Sequence, residues 1–195
     1  MRTKKVMRLK KVIRLKNVMR LETAVLTGAA AWLIASPAVA QNAPTDIRDE
    51  MLGQFTASSY KMTELSEAMP AELYEWAPGE GVMSVATVYA HIARYNFMYL
   101  SDNLGIPAPE GIDWQNLETL SDKARITEAL RLSVEHVNEQ VGKMTADDLA
   151  AMTTLYGRQV PGWAVLVQLV SHMNEHVGQS VAYARMNGVV PPWSR

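Results

Sequence analysis

The chain has 195 residues, 48% of them hydrophobic, with 19 Lys and Arg against 20 Asp and Glu for a net charge of −1. That composition suits one ordinary globular domain rather than a disordered or fibrous chain. Cysteine is absent, which excludes disulfides, thiolate catalysis and thiolate metal sites.

Residues 1–40 read as an export signal. A basic stretch from Arg2 to Arg20 precedes the apolar run Ala24 to Ala35, and Ala38-Val39-Ala40 offers a small-x-small cleavage site. The apolar run is shorter than the ~20 residues of a membrane span, so no stable membrane anchor is expected after cleavage. A hexamer nearly repeats three times, at Lys4–Leu9, Lys10–Leu15 and Lys16–Leu21. A leader beginning at Met19 has ordinary proportions, so the repeat is either a duplicated leader or a stretch upstream of the true start. The expected location is periplasmic or secreted.

Cleavage changes the charge. Nine basic residues and only Glu22 among the acidic ones lie in the leader, leaving 19 − 9 = 10 basic against 20 − 1 = 19 acidic, a net charge of −9 for residues 41–195. An acidic domain lacks the clustered Lys and Arg that bind phosphate backbones, so no nucleic-acid partner is expected.

The remainder carries helical periodicity in four segments, in chain order. Ile47, Met51, Phe55, Ser58, Met62, Leu65 and Met69 step by threes and fours until Pro70 ends the run. Ser84 is placed to cap a second helix with Val88, Ile92, Tyr95 and Tyr99 on one face. A long connection opens at Gly105–Gly111, and Ser121, with Asp122 behind it, caps a third helix striped by Ile126, Leu130, Ser133, Val137 and Val141. After an acidic turn at Thr145–Asp148, residues 153–160 form a loop or a small hairpin. Pro161 then suits the first turn of a last helix running to Asn187-Gly188. Helices with almost no strand point to an all-α four-helix bundle. Its methionines, among them Met51, Met62, Met69, Met83, Met98 and Met173, read as core filler. Exposed helix faces leave a homodimer open, and no stripe is clean enough to assign one.

The chemistry is concentrated in the last helix. His172 and His176 stand four apart on one helical face, with Cβ atoms roughly 5–6 Å apart, and can share one metal ion. A further ligand is needed. His91 lies about 60° from Val88 and about 40° from Tyr95 around the second helix, within its apolar face. His136 falls at the edge of the third helix's stripe and reads as a packing residue.

His172 to His176 also spells H-x-x-E-H, a protease pattern in which the glutamate is a base and a further ligand follows. No His, Asp or Glu follows Val177, and Glu175 points about 180° from Leu166, toward solvent. The third ligand must therefore come from upstream, which favours His91.

The stretches Ala68–Pro78, His91–Asn96 and Ser171–Gln179, with Tyr183–Gly188 and Pro191–Ser194, together resemble the DinB/YfiT-like metalloenzymes. The resemblance covers essentially all of residues 41–195. It implies a four-helix bundle with one ligand histidine on the second helix and an H-x-x-x-H pair on the last, matching His91, His172 and His176. His136 matches no family ligand. The implied activity is that of a metal-dependent hydrolase or transferase on a small-molecule substrate, and an export signal argues against the low-molecular-weight thiol cosubstrates of some relatives.

The expected cofactor is a divalent transition metal, zinc or nickel first, iron or manganese next. Three neutral imidazoles leave coordination positions open for water or substrate. Tyr95, Asn96 and Tyr183 are candidates for the surroundings of the ion, and Trp193 either closes the site or caps the bundle end. A non-catalytic metal-binding module and a non-covalent haem bundle are the competing classes.

Overall fold

The structure, a computed structural model, describes residues 46–194. The export signal, the hexamer repeat and the cleavage site lie outside the described residues. The described chain is predominantly helical: α1 (Ile47–Ala68), α2 (Val85–Met98), α3 (Lys123–Lys143), a short α4 (Ala146–Ala150), a hairpin of β1 (Met152–Leu155) and β2 (Arg158–Pro161), and α5 (Trp163–Met186). Among the described residues, no helix is long and apolar enough to cross a membrane.

Local chemistry sets most of these boundaries. The Asp46 carboxylate accepts from Arg48 N at 2.9 Å to open α1, and Met69 turns extended ahead of Pro70, where a helical backbone is disfavoured. Ser84 caps α2 by accepting from Thr87 N at 3.2 Å. For α3 the cap is Asp122, whose carboxylate accepts from Arg125 N, and Ser121 stands one residue outside. The acidic turn is the start of α4, closed by a reciprocal box between Thr145 and Asp148.

The β-branched segment resolves as the hairpin, registered Met152 opposite Pro161 and Leu155 opposite Arg158. Pro161 therefore ends a strand and does not enter the last helix. The chain turns into α5 at Gly162, whose N–H donates to Ala151 O at 2.9 Å. A Cβ at Gly162 would lie 2.6 Å from Asp148 O, so only glycine lets the helix start so close to α4.

α2 is the central element, packed between α3, α5 and a 3₁₀ turn at Trp114–Thr119 that folds back from the long connection. It buries Val85, Val88, Tyr89, Ile92, Ala93 and Phe97, more of its circumference than a single stripe. α1 packs on α5 and α3 through Phe55, Met62 and Leu65. Ile47, placed on that stripe by periodicity, is exposed at the fraying first turn. Met62, Met69 and Met173 are fully buried, as their filler role requires. Two polar groups of this core are paired, Tyr74 donating to Ser66 O at 2.7 Å and the Asn96 amide donating to the Ser133 hydroxyl at 3.0 Å, whereas the buried His136 Nε2 has no partner among the described residues.

Candidate metal centre

α2 and α5 pack with His91 facing the two histidines of α5. One ring nitrogen from each of His91, His172 and His176 lies within 4.8 Å of the others. Ring centroids are 5.1 Å apart for His91 and His172, 5.0 Å for His91 and His176, and 4.6 Å for His172 and His176. The α5 pair is 7% exposed at each position, and the His91 side chain 13% exposed.

The hydrogen bonds fix which nitrogens face inward. His91 Nδ1 lies 2.8 Å from Glu118 Oε1, and His176 Nδ1 lies 2.7 Å from Gln179 Oε1. A carboxylate and an amide oxygen only accept, so both Nδ1 atoms are the protonated ones and both Nε2 lone pairs are free. His176 Nε2 faces His172 Nε2 at 3.2 Å. Such a pair is held either by one N–H···N bond or by a cation that takes both lone pairs. Tetrahedral metal–nitrogen bonds of ~2.05 Å put neighbouring ligand nitrogens ~3.3 Å apart, so the separation suits a shared ion.

Electrostatics favour the neutral form of two of the rings. Burial, reinforced by His176 and His91, pushes the His172 imidazole down to about 3. Burial also lowers His91, although Glu118 opposes it. A neutral imidazole is the ligand form, so the lowering at His172 and His91 favours metal binding. The donor set fits a divalent transition metal: three imidazoles, two of them oriented by oxygen acceptors on Nδ1.

The family model for the DinB superfamily matches residues 54–180. The chain belongs to the DinB superfamily. Among solved structures it is similar to a DinB-like protein from Bacillus cereus, at 20% identity and TM-score 0.64, covering 73% of this chain and 93% of that one. A DinB-like protein from Bacillus subtilis aligns at 18% identity and TM-score 0.53, covering 72% of this chain and 94% of that one. These likenesses concern the fold. No curated protein matches the sequence.

The surroundings of this DinB-superfamily site differ in part from the sequence reading. Tyr95 stacks on His91 at 4.2 Å and on His172 at 4.9 Å, walling one side of the cluster. Tyr183 acts at one remove, its hydroxyl accepting from Gln179 Nε2 at 2.9 Å and donating to Met83 O at 3.2 Å. Asn96 does not reach the site, because it faces α3 and bonds Ser133. His136 is apart from the cluster, buried against Phe97 at 5.6 Å between ring centroids. Glu175 is exposed, and the C-terminal turn carrying Trp193 packs against α1.

Sequence does not single out Glu118 and Gln179 as partners of the histidines. Gln179 had a local signal, three residues past His176 on the same helix. Glu118 had none, since it reaches His91 only through the fold of the connection.

Proposed function

We propose that His91, His172 and His176 hold a divalent transition metal, zinc or nickel first, iron or manganese next, in a metal-dependent hydrolase or transferase acting on a small molecule. The observation carrying this reading is the convergence of three ring nitrogens from two helices within 4.8 Å. When bound, such an ion supplies Lewis acidity toward a polarised carbonyl or phosphoryl oxygen.

The chain's own groups have distinct tasks around it. Glu118 and Gln179 accept from the outer nitrogens of His91 and His176, fixing ring orientation and tautomer. Tyr95 covers the imidazole faces and limits water there. Arg94, 3.5 Å from Glu118, offsets the carboxylate's charge. We read α1, α2, α3 and α5 as a four-helix bundle, a common host for sites of this kind. The export-signal pattern of residues 1–40 supports a periplasmic or secreted domain, and the acidic charge of residues 41–195 argues against nucleic acid.

A second reading is a non-catalytic module that stores metal or is stabilised by it. The low exposure of the cluster favours it, at 7% for both α5 histidines. Elemental analysis of protein purified without a His tag, beside His172→Ala, tests the shared premise. Metal content equal in the two proteins would remove it. Ion removal that melts the fold while no ligand exchanges at the ion would select the second reading.

A further inference from the structure

His176 can offer Nε2 to a metal only while the proton of its neutral ring sits on Nδ1. The neighbour of that Nδ1 is an amide, which presents an oxygen or an N–H according to which way it is turned. His91 faces no such choice, because the Glu118 carboxylate only accepts. The orientation of the Gln179 amide therefore decides whether His176 is ready for an ion.

Three bonds in a row set that orientation. His176 Nδ1 lies 2.7 Å from Gln179 Oε1, Gln179 Nε2 lies 2.9 Å from Tyr183 Oη, and Tyr183 Oη lies 3.2 Å from Met83 O. The last member is a backbone carbonyl, which carries no proton, so the Tyr183 hydroxyl is the donor there. With its one proton committed, the hydroxyl meets Gln179 as an acceptor. The amide then turns its N–H toward Tyr183 and its oxygen toward His176, and the ring proton stays on Nδ1.

A turned amide would reverse the row. It would donate to His176 Nδ1, and the proton moved to Nε2 would point at His172 Nε2, 3.2 Å away. The lone pair that an ion needs would be blocked. What separates the two arrangements is the far end, where the Met83 carbonyl would lose the Tyr183 proton to the amide oxygen. Tyr183 is 6% exposed and its ring meets Trp76 edge-on at 5.3 Å, which holds the hydroxyl against its partners. Met83 also directly precedes Ser84, the cap of α2, so the same bond ties α5 to the start of the helix that carries His91.

We propose that Tyr183 is a positioning residue for the histidine site: its hydroxyl, anchored on Met83 O, sets the Gln179 amide and through it the His176 tautomer that leaves Nε2 open to an ion. This rests on the metal reading given above, and its first readout is taken without metal.

Nitrogen-15 NMR of histidine-labelled, metal-free protein provides the test, because the two ring nitrogens of a neutral imidazole resonate far apart according to which one carries the proton. Spectra are taken at about pH 8, where ordinary imidazoles are neutral, and His176→Ala identifies the His176 signals. The wild type should favour the Nδ1–H form by about tenfold. Tyr183→Phe keeps the ring and its Trp76 contact but frees the amide, and should bring the two forms within about twofold of each other. Zinc affinity, measured by chelator competition, should fall by about twofold, in step with the competent fraction. Adding Gln179→Glu to Tyr183→Phe supplies an oxygen that cannot be turned into a donor. The double variant should recover the Nδ1–H form and bind zinc at least as tightly as wild type.

A His176 tautomer unchanged in Tyr183→Phe would overturn the proposal. So would a mixture that persists in the double variant, since the tyrosine would then act through packing. Either failure, with zinc still bound by the wild type, leaves the metal reading intact. A wild type that takes up no zinc in the competition removes the metal reading and this role together.

Discussion

Replacing Glu118 by alanine should weaken metal binding without weakening the fold. The Glu118 carboxylate sits 2.8 Å from His91 Nδ1 and makes that imidazole a better donor at Nε2. Loss of such a partner typically costs 10–100-fold in affinity. Here the carboxylate is 35% exposed and shared with Arg94 at 3.5 Å, so the lower part of the range applies. The expected loss is about 10–30-fold, or roughly 1.4–2 kcal/mol.

Two further variants separate charge from geometry. Glu118→Gln keeps an acceptor for the His91 N–H and should lose only about threefold. Gln179→Ala removes a neutral acceptor from His176 and should lose less than Glu118→Ala. Competition with a chromophoric chelator at fixed pH and ionic strength gives the affinities, and urea melts of the metal-free proteins give their stability. An affinity for Glu118→Ala within twofold of wild type would refute the coupling. So would a loss of metal-free stability as large as the loss of binding, since Glu118 would then act through the fold.

Two other outcomes follow from geometry already described. The metal-free protein should lose stability as pH falls below about 6.5, because the unfolded chain protonates His172 while the folded chain, with its imidazole pushed down to about 3, resists. At roughly 1.4 kcal/mol per pH unit the ceiling for this one group is about 5 kcal/mol, fully lost by about pH 3. Urea melts at several pH values should show a shallower slope in His172→Ala, and an unchanged slope would contradict the assignment. Gly162→Ala brings a Cβ to 2.6 Å from Asp148 O and 3.4 Å from Leu149 O, both backbone atoms that cannot swing away. It should cost about 1–3 kcal/mol, read as a Tm several degrees lower, and an unchanged Tm would mean the joint is looser than its contacts imply.

What sequence could reveal was what helical periodicity encodes. His91 fell on the inner face of α2 by phase alone, and the four-residue spacing of His172 and His176 held through packing. Ser84 was legible as a cap because capping is a local hydrogen bond. Pro161 was misplaced because its fixed φ serves a strand end as well as a first helical turn, and only pairing with Met152 decides between them. Asn96 and Tyr95 are adjacent in sequence, yet one faces Ser133 and the other His91. Glu118 is 27 residues from His91, and no periodicity spans that distance.

The π-helical turn at Tyr99–Asn103 takes one more residue per loop of backbone than the α-helix before it. α2 therefore carries two phases, one upstream that aims His91 and Tyr95 at α5, and one downstream that aims Asn103 at the hairpin. Deleting a single residue within the turn would re-index the downstream phase and leave the upstream one in place. The aim of the imidazoles and the fastening of the hairpin are thereby written on separate stretches of one rod.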